Sequence, residues 1–288
     1  MTAFGGITNL AFEGGGVKGV AYCGALHELD SQGILPAVSS VAGTSAGAIT
    51  AALVAAGYSP KELTDAMLDL DFGSFEDGEL EGPVRVIEHY GWYRGQAFLK
   101  WMRNQIEAKL GSSHATFREL GTARQMDLRV VATNLSTRSA QVFSMATTPE
   151  VTVAEAVRMS MSIPLFFAAV TYNGSVHVDG GAVWNYPIEI FDAPAISSAT
   201  IGFRLDNLSA PPPPPDHVGN LAEYGKGLWE TIMNAQGGFY TRSPDDLRRS
   251  VIIDDLGLRA TDFGLTEAQK LTLIDNGTKA TRAFLAGR

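Results

Sequence analysis

Val38-Ser39-Ser40-Val41-Ala42-Gly43-Thr44-Ser45-Ala46-Gly47-Ala48-Ile49-Thr50-Ala51-Ala52-Leu53-Val54-Ala55-Ala56-Gly57 runs without a charge from a short apolar stretch, through a glycine-flanked serine, into an alanine-rich one. Val38 to Ala42 reads as a buried strand. Ala46 to Ala56 reads as a helix with Gly57 as its C-cap. Ser45 therefore falls at a strand-to-helix turn, where small neighbours let the backbone bend sharply. That is the setting of a G-x-S-x-G nucleophile elbow. The serine would also sit near the positive end of the helix dipole. The plainer alternative is a serine that only N-caps the helix.

Two further glycine clusters complete a pattern. Glu13-Gly14-Gly15-Gly16-Val17-Lys18-Gly19 follows a strand candidate, Ile7 to Phe12, and Val17 to Leu29 beyond it looks helical. Val178-Asp179-Gly180-Gly181 closes another strand candidate, Ser175 to Asp179. Successive glycines can turn their N–H groups toward one point and so make an anion site. A serine on one tight turn, a carboxylate on another and a nest of N–H groups are the parts of an acyl-transfer site. Gly14, Gly16 and Gly19 also fit G-x-G-x-x-G, but a dinucleotide fold expects an acidic residue near the end of the second strand. That strand runs into Gly43-Thr44-Ser45 instead.

Gly14-Gly15-Gly16-Val17-Lys18-Gly19, Gly43-Thr44-Ser45-Ala46-Gly47 and Asp179-Gly180-Gly181 together resemble, in order and spacing, the three signature blocks of patatin-like phospholipases of the bacterial type. Met159 to Phe167 resembles the family's stretch before the aspartate turn, and Asn185-Tyr186-Pro187 the stretch after it. The resemblance covers about residues 7–205. It implies a calcium-independent lipid acyl hydrolase of the phospholipase A or lysophospholipase type, with a Ser–Asp dyad and neither metal nor cofactor. By position it makes Ser45 the nucleophile, Asp179 the base and the N–H groups of Gly14, Gly15 and Gly16 the oxyanion hole. Lys18 matches the block's basic position, with a structural role or one near the phosphate. The implied partners are a phospholipid or lysophospholipid and, transiently, a membrane surface. Several bacterial relatives need an activating protein, and the sequence leaves such a partner open.

A free aspartate titrates near ~4 and is a poor base for a hydroxyl. An apolar site raises its pKa, and Phe166, Phe167, Val178 and Trp184 could supply one. The rival scheme is a Ser–His–Asp triad. Among His27, His89, His114, His177 and His217, only His177 competes, because it shares a strand face with Asp179. A serine esterase using His177 and a non-catalytic lipid-binding protein of the same fold are the alternatives. Retention of Ser45, Asp179 and three glycines argues against the second.

The remaining residues set the frame. Strand and helix signals alternate, which predicts a mostly parallel central sheet with helices on both faces, a three-layer α/β/α fold. Asp127 to Thr133 and Ala140 to Ser144 read as a hairpin, and Asn173-Gly174 as the turn of a second hairpin leading into Asp179. Asp71 to Trp92 reads as loop. Residues 1–288 read as a single domain, in which 206–288 supply a proline-rich loop at Pro211 to Pro215, a possible lid, and a closing strand and helix. Leu221 to Phe239 fits a lid or interfacial helix as well as ordinary core. Thr266 and Glu267 read as the cap of the last helix. The net charge of −9 discourages nucleic acid and gives no help toward an anionic membrane. A single cysteine, Cys23, excludes an internal disulfide. No secretory signal and no apolar run of ~18 residues is present, so cytoplasmic residence with peripheral membrane contact is expected.

Overall fold

A computed structural model describes residues 6–70, 72–75, 77, 90–211, 218–240 and 243–287. His89, Pro212 to Pro215, His217 and most of the loop expected at 71–92 lie outside the described residues. In chain order the elements are β1 (Asn9–Phe12), a 3₁₀ turn at Gly16–Val20, α1 (Ala21–Ser31), β2 (Ser40–Thr44), α2 (Ala46–Ala56), α3 (Pro60–Leu68), β3 (Gly91–Tyr93), α4 (Gln96–Leu110), α5 (Phe117–Arg124) and β4 (Asp127–Asn134). β5 (Ser139–Ser144), α6 (Val153–Ser160), β6 (Leu165–Phe167), β7 (Val170–Tyr172), β8 (Ser175–Asp179), β9 (Thr200–Asp206), α7 (Leu221–Tyr240), α8 (Pro244–Arg248), β10 (Ser250–Asp254) and α9 (Glu267–Ala286) follow.

The main sheet has the order β10-β9-β1-β2-β4-β8-β7, with β5 also paired to β4. The first five strands of that order pair in parallel, as their helical crossovers require. β5, β8 and β7 join antiparallel, so the sheet is mixed at one side. Helices cover both faces in a three-layer α/β/α arrangement. Both predicted hairpins form. Asn173 and Gly174 turn at φ 47° and 74°, the left-handed pair that a two-residue hairpin needs.

Parallel strands buried on both faces read as near-continuous apolar runs, and β1 and β2 do so at Leu10–Phe12 and Val41–Gly43. Phe12 stacks on Phe203 at 5.1 Å between ring centroids and tilts against Tyr22 at 5.3 Å. Truncating Phe12 to alanine should cost about 3–5 kcal/mol by cavity creation. Helix ends follow the local chemistry. α2 stops at Gly57 in the left-handed region (φ 93°). Ser59–Glu62 and Thr116–Glu119 form capping boxes. α9 is capped by Thr266 with Gln269, not Glu267, because the reciprocal bond reaches from the third helical position. Asp77 caps α4, accepting the N–H groups of Gly95, Gln96 and Ala97 at 2.6–2.9 Å.

Candidate active site

Ser45 occupies φ 52°, ψ −122°, a region that non-glycine residues avoid at a cost of about 1–3 kcal/mol. Two contacts hold it there. Its N–H donates to Ser160 Oγ at 2.8 Å, and that hydroxyl donates on to Val131 O at 2.6 Å. The flanking glycines allow the bend: a Cβ on Gly43 would come within 2.1 Å of Gly47 O, and one on Gly47 within 2.3 Å of Phe12 O. The Ser45 carbonyl accepts the first helical N–H groups of α2, but its side chain makes no capping bond. The hydroxyl is thus left over for other work, and the plain N-cap reading does not describe it.

β8 ends at Asp179, which pairs with Ala132 of β4 and donates its N–H to Ser162 O at 2.9 Å. Oδ1 accepts the Gly181 N–H at 2.8 Å. Oδ2 is buried and takes no donor among the described residues. Burial pushes the Asp179 carboxyl up to about 7, while the Ser45 side chain and the Gly181 N–H pull it down. The serine is therefore close enough to act on this carboxyl, although no hydroxyl meets Oδ2 in full hydrogen-bond geometry. The rings of Phe166 and Phe167 lie against Tyr93 and Phe263.

The glycine loop needs one correction. The Gly14 N–H donates to Asn185 O at 2.9 Å, so it is spent and unable to hold an oxyanion. The N–H groups of Gly15 and Gly16 have no acceptor among the described residues. Gly14 matters instead by lying against the serine: a Cβ there would stand 3.2 Å from Ser45 Cβ and 2.3 Å from Asn185 Oδ1. Gly16 turns at φ 55° beneath the Ala260 carbonyl. Lys18 is tied to Asp255 at 2.6 Å in a nearly buried ion pair, which anchors the loop to the strand-β10 end of the sheet.

Asn185 and Glu13 brace this loop. Asn185 Nδ2 donates to Glu13 Oε1 at 3.3 Å and to Gly14 O at 3.1 Å. Glu13 Oε2 accepts the Leu205 N–H at 2.8 Å. Burial pushes Glu13 up to about 7 against the pull of Arg204. Sequence reasoning singled out neither Glu13 nor Ser160 as a support; Asn185 and Ser160 lie in stretches that the resemblance marked, while Glu13 carried only its place before the glycines.

His177 does not reach the serine. Its ring nitrogens pair with Ser175 O at 3.1 Å and Gln141 Oε1 at 2.8 Å, and its ring packs edge-on against Phe143 and Tyr172. Burial lowers its pKa. His27 and His114 contact Thr64 and Ser113 at the surface. Among the described residues no group of three His, Cys, Asp or Glu side chains is placed to hold a metal.

The site is closed. Ser45 is 4% and Asp179 0% exposed. α7 lies over the aspartate turn: Gln236 Oε1 accepts the Asn185 N–H at 3.0 Å, Gln236 Nε2 donates to Gly181 O, and Met233 Sδ presses on Gly181. Leu221, Tyr224 and Leu228 face solvent on α7 at helical spacing, each about half exposed. A hollow between α4, α6 and β7, lined by Gln96, Leu99, Glu155, Met159, Val170 and Tyr172, holds neither Ser45 nor Asp179. No helix among the described residues is long and apolar enough to cross a membrane.

A patatin-like phospholipase family model matches residues 10–192. The chain is 33% identical over 292 residues to the uncharacterized protein YqhO of Bacillus subtilis, covering 95% of this chain and 96% of that one. It is 29% identical over 183 residues to a probable lipid hydrolase, 463L, of invertebrate iridescent virus 6, covering 63% and 62% of the two chains. Its fold is similar to that of VipD from Legionella pneumophila, with a TM-score of 0.66 at 17% identity, over 98% of this chain and 67% of that one. With its elbow serine, its aspartate turn and its glycine loop all inside the matched region, this chain belongs to the patatin-like phospholipase family.

Proposed function

We propose that the chain is a lipid acyl hydrolase in which Ser45 attacks a carboxylic ester of a lipid and Asp179 is the sole general base. Asp179 Oδ2 takes the proton from Ser45 Oγ as the oxygen adds to the carbonyl carbon. The N–H groups of Gly15 and Gly16 hold the oxyanion of the tetrahedral intermediate. The intermediate collapses, the alcohol leaves with the proton from Asp179, and the acyl group stays on Ser45. Water then attacks the acyl-enzyme, again losing its proton to Asp179, and the fatty acid departs as Ser45 Oγ is reprotonated.

One observation carries this reading. A fully buried carboxyl, pushed up to about 7, keeps one oxygen without a partner among the described residues, beside a serine on a strained elbow. A raised pKa makes the carboxylate a stronger base while leaving it largely ionised above neutrality. The same scheme needs no calcium, so chelation by EDTA is expected to leave the rate within twofold. The substrate is a phospholipid or lysophospholipid, in keeping with the name of the family and with the relative named a probable lipid hydrolase. The exposed stripe Leu221, Tyr224 and Leu228 on α7 suits brief contact with a lipid surface. A net charge of −9 favours a zwitterionic surface over an anionic one. We read residues 1–288 as one domain, because β10 extends the main sheet and α9 packs on α1.

The test is covalent and kinetic together. A fluorophosphonate should label the chain at Ser45, and the chain should release fatty acid from phospholipid or lysophospholipid micelles. Ser45→Ala should lose both. Undiminished fatty-acid release by a folded Ser45→Ala protein would end this reading.

A further inference from the structure

The stretch Met159 to Phe167 has no part in the chemistry above, yet it touches both halves of the site. Ser160 is the last residue of α6 and is wholly buried. Its Oγ accepts the Ser45 N–H at 2.8 Å and donates to Val131 O at 2.6 Å. The partners fix that direction, because an N–H only donates and a carbonyl only accepts. Two residues later the Ser162 carbonyl accepts the Asp179 N–H at 2.9 Å. A three-residue segment thus holds the backbone of the serine at one end and the backbone of the aspartate at the other.

The segment is itself anchored. Ser162 is wholly buried, and its Oγ donates to Arg158 O at 2.8 Å. The same oxygen accepts Arg158 Nη1. Arg158 gives its other donors to Gly95 O at 3.0 Å, Arg94 O at 2.8 Å and Ala168 O at 2.9 Å. Val131 O, which takes the Ser160 hydroxyl, also borders the aspartate turn: a Cβ on Gly180 would come within 2.3 Å of it. Ser160 therefore joins the elbow to the β4 strand on which that turn rests.

The elbow gives this joint its consequence. At φ 52° and ψ −122° Ser45 lies outside the regions a serine adopts freely, and such a conformation persists only where its surroundings over-determine it. Among the described residues Ser160 Oγ is the acceptor of the Ser45 N–H. Without that bond the backbone is free to relax toward ordinary angles and to carry Oγ away from Asp179.

We propose that Ser160 is a positioning residue for ester cleavage: its hydroxyl locks the strained elbow, and with Ser162 it sets the separation of Ser45 from Asp179. Ser160 acts through Ser45 and meets no reacting atom. The proposal rests on the Ser45–Asp179 reading.

The experiment measures kcat and KM on a soluble short-chain ester, and the rate of fluorophosphonate labelling, for wild-type, Ser160→Ala and Ser160→Thr, all well below their melting points. Ser160→Ala removes the hydroxyl and adds no bulk. Its kcat should fall about 10²-fold, the effect of moving a reacting group by ~1 Å, with KM within about threefold of wild-type. Labelling should slow by a similar factor, since the same oxygen attacks the probe. Ser160→Thr keeps a hydroxyl at the cost of an extra buried methyl, and should recover at least about tenfold of the lost kcat even if it melts lower. A merely structural serine predicts the reverse: rates that follow melting temperature and no loss of kcat in folded protein. A folded Ser160→Ala with kcat within about threefold of wild-type, a loss confined to KM, or a folded threonine variant no faster than the alanine one overturns the proposal. If either variant does not fold, Ser160→Cys replaces it. The thiol is close in size but a weak hydrogen-bond partner, so kcat should fall at least about tenfold at unchanged KM, and a kcat within about threefold of wild-type overturns the proposal. Failure of the underlying reading is seen separately, as fatty-acid release that survives Ser45→Ala.

Discussion

Replacing Asp179 with asparagine should abolish catalysis and, at alkaline pH, stabilise the fold. The carboxyl is wholly buried and titrates at about 7 instead of its ordinary 3.8. A carboxylate whose folded pKa is raised favours the folded state only in its neutral form. The stability it allows is complete below pH ~4 and is lost as pH rises through about 7. The full loss is about 4 kcal/mol, and between pH 5 and pH 9 it is roughly 3 kcal/mol. Asparagine has the same shape and cannot ionise, so it escapes this loss. The constant effects of the substitution, including a buried amide N–H2 where Oδ2 stood, cancel when the two proteins are compared across pH. Glu13, also at about 7, cancels because both proteins carry it. The assay is thermal unfolding of wild-type and Asp179→Asn at pH 5 and pH 9. The melting-point gap should move in the variant's favour by about 5–10 °C on going to pH 9. At pH 9, where the wild-type carboxylate is ionised, the variant's kcat/KM should be down by on the order of 10³-fold, and this loss should shrink toward pH 5. A gap that does not change with pH would mean that Asp179 is not held at a raised pKa, and the argument for it as the base would fall with it.

Ser45→Ala should cost on the order of 10³-fold or more in rate, with loss of fluorophosphonate labelling and a melting point within a few degrees of wild-type, since alanine fits the elbow as serine does. His177→Ala should keep kcat/KM within a few-fold, yet unfold more easily by about 1–3 kcal/mol, because the ring fills a buried place between Phe143 and Tyr172 and bonds Gln141. The wild-type rate should rise with pH through about 7, as Asp179 loses its proton; a rate already flat from pH 5 upward would contradict the raised pKa. Because a histidine base gives a similar curve, the His177→Ala rate must be measured alongside it.

The sequence discloses those parts of the site that are local. A serine between an apolar strand and an alanine helix, and an aspartate after an Asn-Gly hairpin, are written in neighbouring residues, and both turns form where expected. What joins them is not local. Gly14 and Asn185 are 171 positions apart, and Glu13 and Leu205 are 192 apart, so nothing near Gly14 announces that its N–H is already spent. His177 shows the limit of period-two reasoning: it shares a strand with Asp179, but β5, the other antiparallel partner of β4, places Gln141 and Phe143 against it, and its ring turns to them. The cover formed by α7 escaped a clear reading for a related reason. Its apolar residues divide between an inner side, with Trp229 buried and Met233 on the Gly181 turn, and an outer side, with Leu221, Tyr224 and Leu228 in solvent.

Unpaired polarity is concentrated rather than spread. Seven buried side-chain polar atoms lack a partner among the described residues, and four belong to Asp179, Asn185 and Arg204. Arg158 gives the comparison. It is as deeply buried as Arg204, and it donates Nε to Gly95 O, Nη1 to Ser162 Oγ, and Nη2 to the carbonyls of Arg94 and Ala168. This fold can therefore satisfy an arginine in its interior when the role is to join α6 to the segments around it. Around Ser45 it does otherwise: a backbone held outside the allowed region, a carboxylate with one free oxygen, an amide with a free oxygen and a guanidinium with two free donors all lie in one chain of contacts. Each of these costs stability. In the proposed reaction the carbonyl oxygen of the lipid ester is the acceptor that the Gly15 and Gly16 N–H groups lack among the described residues.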